Sequence, residues 1–230
     1  MPRVSRIIAP GQPHHVTQRG NNRAPVFFDD EDRTTYLKLL AGYAEKHRLQ
    51  IWAYCLMENH VHILAVPEDA ESLARGIGLT NQVYTQYLNR KLHHSGRLWQ
   101  NRFFSCIVEQ EQCLWEVARY IERNPLKAGL AERPEDYPWS SARAHIVGGR
   151  DQVLSAASAW LSPRKRKAYA EFVGLTDEKA NAMIRRATRT GRPYGSEKFI
   201  DALEARLHQP LRPRKPGRPA KKFGDSPAAL

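Results

Sequence analysis

Cysteine is scarce in this chain. Its three residues, Cys55, Cys106 and Cys113, form no C-x-x-C pair and leave an odd count. That argues against a disulfide framework or a thiolate zinc site and fits a reducing interior, the cytoplasm. Long apolar runs are missing too. No stretch approaches the roughly 20 residues of a spanning helix. The N-terminus, Met1-Pro2-Arg3-Val4-Ser5-Arg6-Ile7-Ile8, is basic but lacks the apolar core of a signal peptide, so a membrane is not among the expected partners. Acid is in short supply: 24 Asp and Glu against 36 Lys and Arg leave a net charge of +12. A surplus of that size predicts a polyanionic partner, nucleic acid first. The 41% of hydrophobic residues is an ordinary globular share, so the charge sits on a foldable chain. A cytoplasmic, nucleoid-associated protein is the expectation.

The most informative stretch runs from Ile51 to Val66. Two apolar runs, Ile51 to Met57 and Val61 to Val66, flank a polar break at Glu58-Asn59, which predicts a β-hairpin. Strand side chains alternate faces, so His60 and His62 point the same way and Val61 points to the other side. Two imidazoles on one face can hold a metal ion. Upstream, His14 to Arg19 reads as a short strand ending at Gly20-Asn21-Asn22, and acidic Asp29 to Asp32 suits a helix start. That helix carries Tyr36, Leu39, Leu40, Tyr43 and Ala44 at three-and-four spacing. After the hairpin come a helix through Leu73, Ile77, Tyr84 and Leu88, a strand from Phe103 to Val108, and a helix from Glu109 to Arg123. The order predicts an α+β layer fold, an antiparallel sheet covered by helices.

The helix before Pro125 carries a tyrosine off its core stripe. At about 100° per residue, Leu114, Val117, Ala118 and Ile121 form one stripe, and Tyr120 falls roughly 110° from its centre. Asn124, one turn later, lies on the same edge, so both side chains can meet one object.

His60-Val61-His62 with downstream Tyr120-Ile121-Glu122-Arg123-Asn124-Pro125 resembles the single-tyrosine HUH transposases, in which U is hydrophobic. The nearest branch is the REP-associated tyrosine transposases. His15-Val16-Thr17-Gln18-Arg19-Gly20-Asn21, Ala53-Tyr54-Cys55-Leu56-Met57, Leu98-Trp99-Gln100-Asn101-Arg102-Phe103 and Asn124-Pro125-Leu126-Lys127-Ala128-Gly129 extend the resemblance over residues 3 to 146. It implies an HUH-type ferredoxin-like antiparallel sheet covered by helices. It also implies metal-dependent nicking and rejoining of single-stranded or hairpin DNA through a 5′-phosphotyrosine. On this resemblance Tyr120 is the nucleophile, His60 and His62 are metal ligands, Asn124 completes the metal shell, and the ion is Mg2+ or Mn2+. A non-catalytic hairpin-binding regulator with the same fold is the alternative, and both a homodimer and a monomer stay open.

Single-stranded DNA is bound in basic grooves with aromatic platforms. Arg19, Asn21, Asn22 and Arg23 after the first strand, and Trp99, Arg102 and Phe103 before the last, are therefore expected to flank the site. The domain reading is a catalytic unit over residues 1–149, a helical C-terminal extension over 150–208, and a basic, disordered tail over 209–230. In that tail Arg214, Lys215 and Arg218 are expected to contact DNA phosphates. Pro216-Gly217-Arg218-Pro219 also resembles minor-groove AT-hook peptides.

Overall fold

A computed structural model describes residues 6–110, 112–155 and 160–212. Four strands, β1 (His14–Arg19), β2 (Leu49–Met57), β3 (His60–Pro67) and β4 (Phe104–Ile107), form one antiparallel sheet in the order β2-β3-β1-β4. Helix α1 (Asp30–Lys46) links β1 to β2, and α2 (Ser72–Lys91) links β3 to β4. Each crossover skips one strand: β3 fills the gap between β1 and β2, and β1 the gap between β3 and β4. This is the split βαβ arrangement of a ferredoxin-like α+β fold, as the element order and the resemblance implied.

Strand alternation sorts the two faces. Val16, Tyr54, Leu56, Val61, Ile63 and Ala65 face α1 and α2, in a core with Tyr36, Leu40, Leu73, Ile77 and Tyr84. Ala53, Cys55, Leu64 and Cys106 face the opposite side. Ile51 breaks parity with Ala53 because the pairing register shifts between them. A β-bulge there re-aims one side chain without ending the ladder. Helix α1 begins at Asp29, whose carboxylate accepts the Asp32 N–H at 2.9 Å. Gly76 is required where α2 crosses β2, since a Cβ there would stand 2.7 Å from Leu49 Cδ2. That close approach explains why a glycine inside α2 does not end the helix.

The second face is covered by α3 (Gln112–Glu122), through Leu114, Val117, Ala118 and Ile121. Short α4 (Asn124–Lys127) and α5 (Ala142–Ile146) follow. Then come α6 (Pro163–Gly174), α7 (Glu178–Thr190) and α8 (Glu197–Leu207). Tyr169, Val173, Ile184 and Ala187 of α6 and α7 share one core with Leu64 and Ile121. The β2 edge is closed by the chain at 139–141, where the Leu56 N–H donates to the Trp139 carbonyl and the Ser141 N–H to that of Tyr54. Among the described residues no helix is long and apolar enough to cross a membrane. Most of the expected tail, with Arg214, Lys215 and Arg218, lies outside the described residues. Its first residues are docked rather than loose. Leu211 is buried, and the Glu204 carboxylate accepts its N–H at 2.6 Å and that of Arg212 at 3.2 Å.

His14 is fully buried at the start of β1. Its Nδ1–H donates to the Gln12 carbonyl at 2.8 Å, and its Nε2 accepts the Ala9 N–H at 3.3 Å. Burial lowers its pKa from 6.5 to about 4. The unfolded imidazole therefore takes up a proton that the native one refuses. Stability is full above pH 6.5 and falls as pH drops from 6.5 toward 4, by ~1.4 kcal/mol per pH unit from this group. Urea unfolding at pH 7 and pH 5 should show a His14→Gln variant losing about 2 kcal/mol less than the parent over that interval. Equal losses would show that His14 titrates normally in the fold.

Candidate active site

The first residues of β3 carry the histidine pair, and β1 lies against it in register. Arg19 pairs with His60 and Thr17 with His62. The two imidazole rings stand 5.0 Å apart at 84°. Helix α3 crosses the same face and brings the Tyr120 ring edge-on to His62, 5.4 Å between centroids. A third ring, His15, stacks on His62 at 5.2 Å and meets Tyr120 at 5.7 Å. Alternation on β1 puts His15 on this face, since it is two residues from Thr17.

Each histidine of the pair is anchored through Nδ1. The Asn59 side-chain amide donates to the Arg23 carbonyl at 2.9 Å, which turns its Oδ1 toward His60, and that oxygen accepts the His60 Nδ1–H at 2.7 Å. His62 Nδ1 lies 2.9 Å from His15 Nε2. Neither Nε2 of the pair has a hydrogen-bond partner among the described residues. Burial holds all three rings neutral. The His60 pKa falls to about 4, with the Arg19 charge adding to desolvation. That of His15 falls to about 3 by desolvation, and that of His62 well below its ordinary value, first by desolvation and then by repulsion from any proton on His60 or His15 and from the Arg19 charge. Neutral imidazole is the ligating form.

Tyr120 is half-buried, on the edge of the α3 stripe. Burial raises its phenol pKa, while Arg185 on α7 and Arg19 pull it back. The phenol is thus protonated at neutral pH and needs help to act as a nucleophile. Asn124 donates its side-chain amide to the carbonyls of Tyr120 (2.8 Å) and Ile121 (3.3 Å), closing the C-terminus of α3. Its Oδ1 takes no hydrogen bond among the described residues. A cavity of about 190 Å³ opens beside these two residues, and Arg123, Lys127, Glu178 and Asn181 complete most of its wall.

The donor set suits an incompletely enclosed ion. Among the described residues no three His, Cys, Asp or Glu side chains converge. The two free imidazole Nε2 atoms, of His60 and His62, would leave coordination positions for water or phosphate oxygens, unlike the closed four-ligand cage of a structural zinc.

Of the expected DNA contacts, Arg19, Asn21, Asn22 and Arg23 are exposed at the end of the sheet that carries His60. Their loop is pinned there by the Gly20 N–H on the Asn59 carbonyl and the Asn21 N–H on that of Leu98, both 2.8 Å. Arg102 is exposed as well. Trp99 and Phe103 are not platforms. Trp99 is 9% exposed, packs with Tyr36 and Tyr84, and gives its indole N–H to the Asn81 carbonyl. Phe103 is 8% exposed beneath the Arg6 guanidinium, 3.5 Å from the ring centroid. Burying these rings removes more apolar surface from water than a base could recover by stacking, so the core takes both. Exposed Phe104 is the aromatic that this segment leaves to solvent. Sequence patterning missed His15 and Arg185, which stand against His62 and Tyr120. Only His15 carried a signal, its alternation with Thr17 and Arg19.

Residues 11–124 match the family described as "Transposase IS200 like". A Haemophilus influenzae protein named as a REP-associated tyrosine transposase is 28% identical over 107 residues, covering 42% of this chain. The match spans 61% of that relative's length, less than two thirds. A solved REP-associated tyrosine transposase bound to a REP hairpin superposes with a TM-score of 0.53 at 18% identity, over 69% of this chain and 96% of that one. That likeness is one of fold. A Deinococcus radiodurans structure described as a transposase gives a TM-score of 0.37 at 18% identity, over 47% of this chain and 87% of that one.

Proposed function

We propose that this chain, which matches the IS200-like transposase family over residues 11–124, nicks and rejoins single-stranded or hairpin DNA through a covalent link to Tyr120. The observation that carries this reading is the Tyr120 ring set 5.4 Å from His62, beside two imidazoles whose Nε2 atoms are free. A divalent ion, Mg2+ or Mn2+, held by His60, His62 and the Asn124 Oδ1 would supply Lewis-acid polarisation of the scissile phosphate. Tyr120 attacks phosphorus, its phenolic proton passes to solvent, and the bond from phosphorus to the 3′-oxygen breaks. The products are a 5′-phosphotyrosine and a free 3′-hydroxyl. The link conserves the phosphodiester energy, so the reverse attack rejoins strands without ATP.

Arg19 and Arg185, whose charges act on the phenol, suit a phosphate beside it. The exposed loop of Asn21, Asn22 and Arg23, with Arg102, suits the DNA backbone on either side, and Arg214, Lys215 and Arg218 would add non-specific phosphate contacts. A hairpin substrate is supported by the folded relative seen with a REP hairpin. In this reading residues 1–149 are the catalytic unit and 150–208 an accessory region that completes its site.

A labelled hairpin oligonucleotide incubated with the protein and Mn2+ should yield an adduct that survives denaturing electrophoresis. Chelator, or His60→Ala, should abolish it. An undiminished adduct in chelator would remove the metal from the mechanism. Tight hairpin binding with no adduct under any divalent ion would favour a binding regulator.

A further inference from the structure

The His62 ring is not fixed by its own strand alone. Its Nδ1 contacts His15 Nε2 at 2.9 Å, and His15 Nδ1 contacts Thr188 Oγ1, on α7, at 2.7 Å. Such a relay of two imidazoles can run in either direction. Run one way, each ring carries its proton on Nδ1 and the His62 Nε2 keeps its lone pair. Run the other way, both protons sit on Nε2 and that atom cannot bind a cation. The two rings by themselves leave this choice open, because each can both give and accept.

Thr188 settles it. Its Oγ1 lies 2.9 Å from the Ile184 carbonyl one turn back, and a carbonyl oxygen only accepts. The threonine's single proton is therefore committed to Ile184. What Oγ1 presents to His15 is a lone pair, so His15 Nδ1 must bring the proton. His15 Nε2 is then the acceptor for His62 Nδ1–H. The Cys106 thiol, 3.3 Å from the same oxygen, can supply a further donor and does not compete for the hydroxyl proton. Thr188, His15 and His62 are all buried, so water is not at hand to reverse the relay.

We propose that Thr188 and His15 are positioning residues that hold His62 in the Nδ1–H tautomer and so reserve its Nε2 lone pair for a metal ion. The inference rests on the metal-site reading given above, which it extends across 173 residues to the C-terminal helices. Outer partners of this kind typically change metal affinity by about 10–100-fold when removed.

The test has two readouts. Long-range 1H–15N spectra of the metal-free, full-length protein report the His62 tautomer, and the free-Mn2+ signal in electron paramagnetic resonance reports affinity. The parent should show Nδ1–H at His62. Thr188→Val, which keeps the shape and deletes the acceptor, should admit the Nε2–H form and weaken Mn2+ binding by about 10–100-fold. Thr188→Ser should restore both. A parent spectrum with His62 in the Nε2–H form overturns the inference without any variant. So does a folded Val variant with unchanged tautomer and affinity. A parent that shows Nδ1–H and takes up no Mn2+ removes the metal-site reading and with it the role proposed for the tautomer. In that case the relay stands only as structure.

Discussion

Tyr120→Phe should abolish the covalent DNA adduct while leaving folding and hairpin binding near those of the parent. The phenyl ring keeps its edge contacts with His15 and His62, so the core under α3 is undisturbed. Only the attacking oxygen is lost, and without it no phosphotyrosine can form. Removing a sole nucleophile typically costs on the order of 10⁴-fold or more in turnover. Denaturing electrophoresis of the trapped complex reads the loss, and thermal melting confirms the fold. An adduct of parental yield in the Phe variant would mean that another side chain attacks. Three of the other tyrosines are poor candidates. Tyr36, Tyr84 and Tyr169 are wholly buried, with their hydroxyls given to Asn81, Val26 and Glu122.

A large loss of stability is expected from Glu122→Ala, two residues further along the same helix. Glu122 is fully buried on the side of α3 away from the histidines. Its carboxylate accepts hydrogen bonds from Ser141 Oγ at 2.6 Å, His145 Nδ1 at 2.5 Å and Tyr169 Oη at 2.8 Å. One side chain thus ties α3 to α5, α6 and the chain that closes the β2 edge. Truncation leaves His145 Nδ1 and Tyr169 Oη without an acceptor, each costing about 1–3 kcal/mol, and opens a cavity besides, while Ser141 Oγ keeps the Tyr54 carbonyl at 3.3 Å. The sum, about 4 kcal/mol or more, is a large part of the whole stability of many domains. Urea unfolding should therefore show a much lower midpoint, or no folded protein at 37 °C. Tyr169→Phe, which removes one donor and keeps the acceptor, should cost only about 1–2 kcal/mol. If Glu122→Ala cost less than Tyr169→Phe, the carboxylate would not be the hub of this cluster. The tyrosine helix is held from behind by a polar lock whose partners, apart from the adjacent face of the sheet, come late in the chain.

Much of this site was legible in residue order. His60 and His62 share a face because a strand alternates, and that alternation needs no knowledge of the neighbouring strands. Tyr120 and Asn124 share an edge because four residues nearly complete a helical turn. The hairpin break at Glu58-Asn59 and the helix stop at Pro125 are local backbone chemistry. Trp99 and Phe103 were misjudged for a corresponding reason. Their basic and polar neighbours describe a surface loop, but burial depends on what lies across from them: Tyr36 of distant α1, with Tyr84, against Trp99, and Arg6 from the start of the chain over Phe103. Even Gly76, which weakens a helix prediction, is explained only by the Leu49 side chain it must clear.

The sequence by itself determined the strand and helix periods, the paired histidines on one face, the tyrosine off its core stripe and a net charge of +12. These follow from interactions within about one helical turn or one strand pleat. The tertiary structure alone decided that β1 lies between β3 and β4, which sets Arg19 beside His60 and His15 against His62. It alone brought Thr188 to that relay. A period says which residues share a face, and packing says which faces meet.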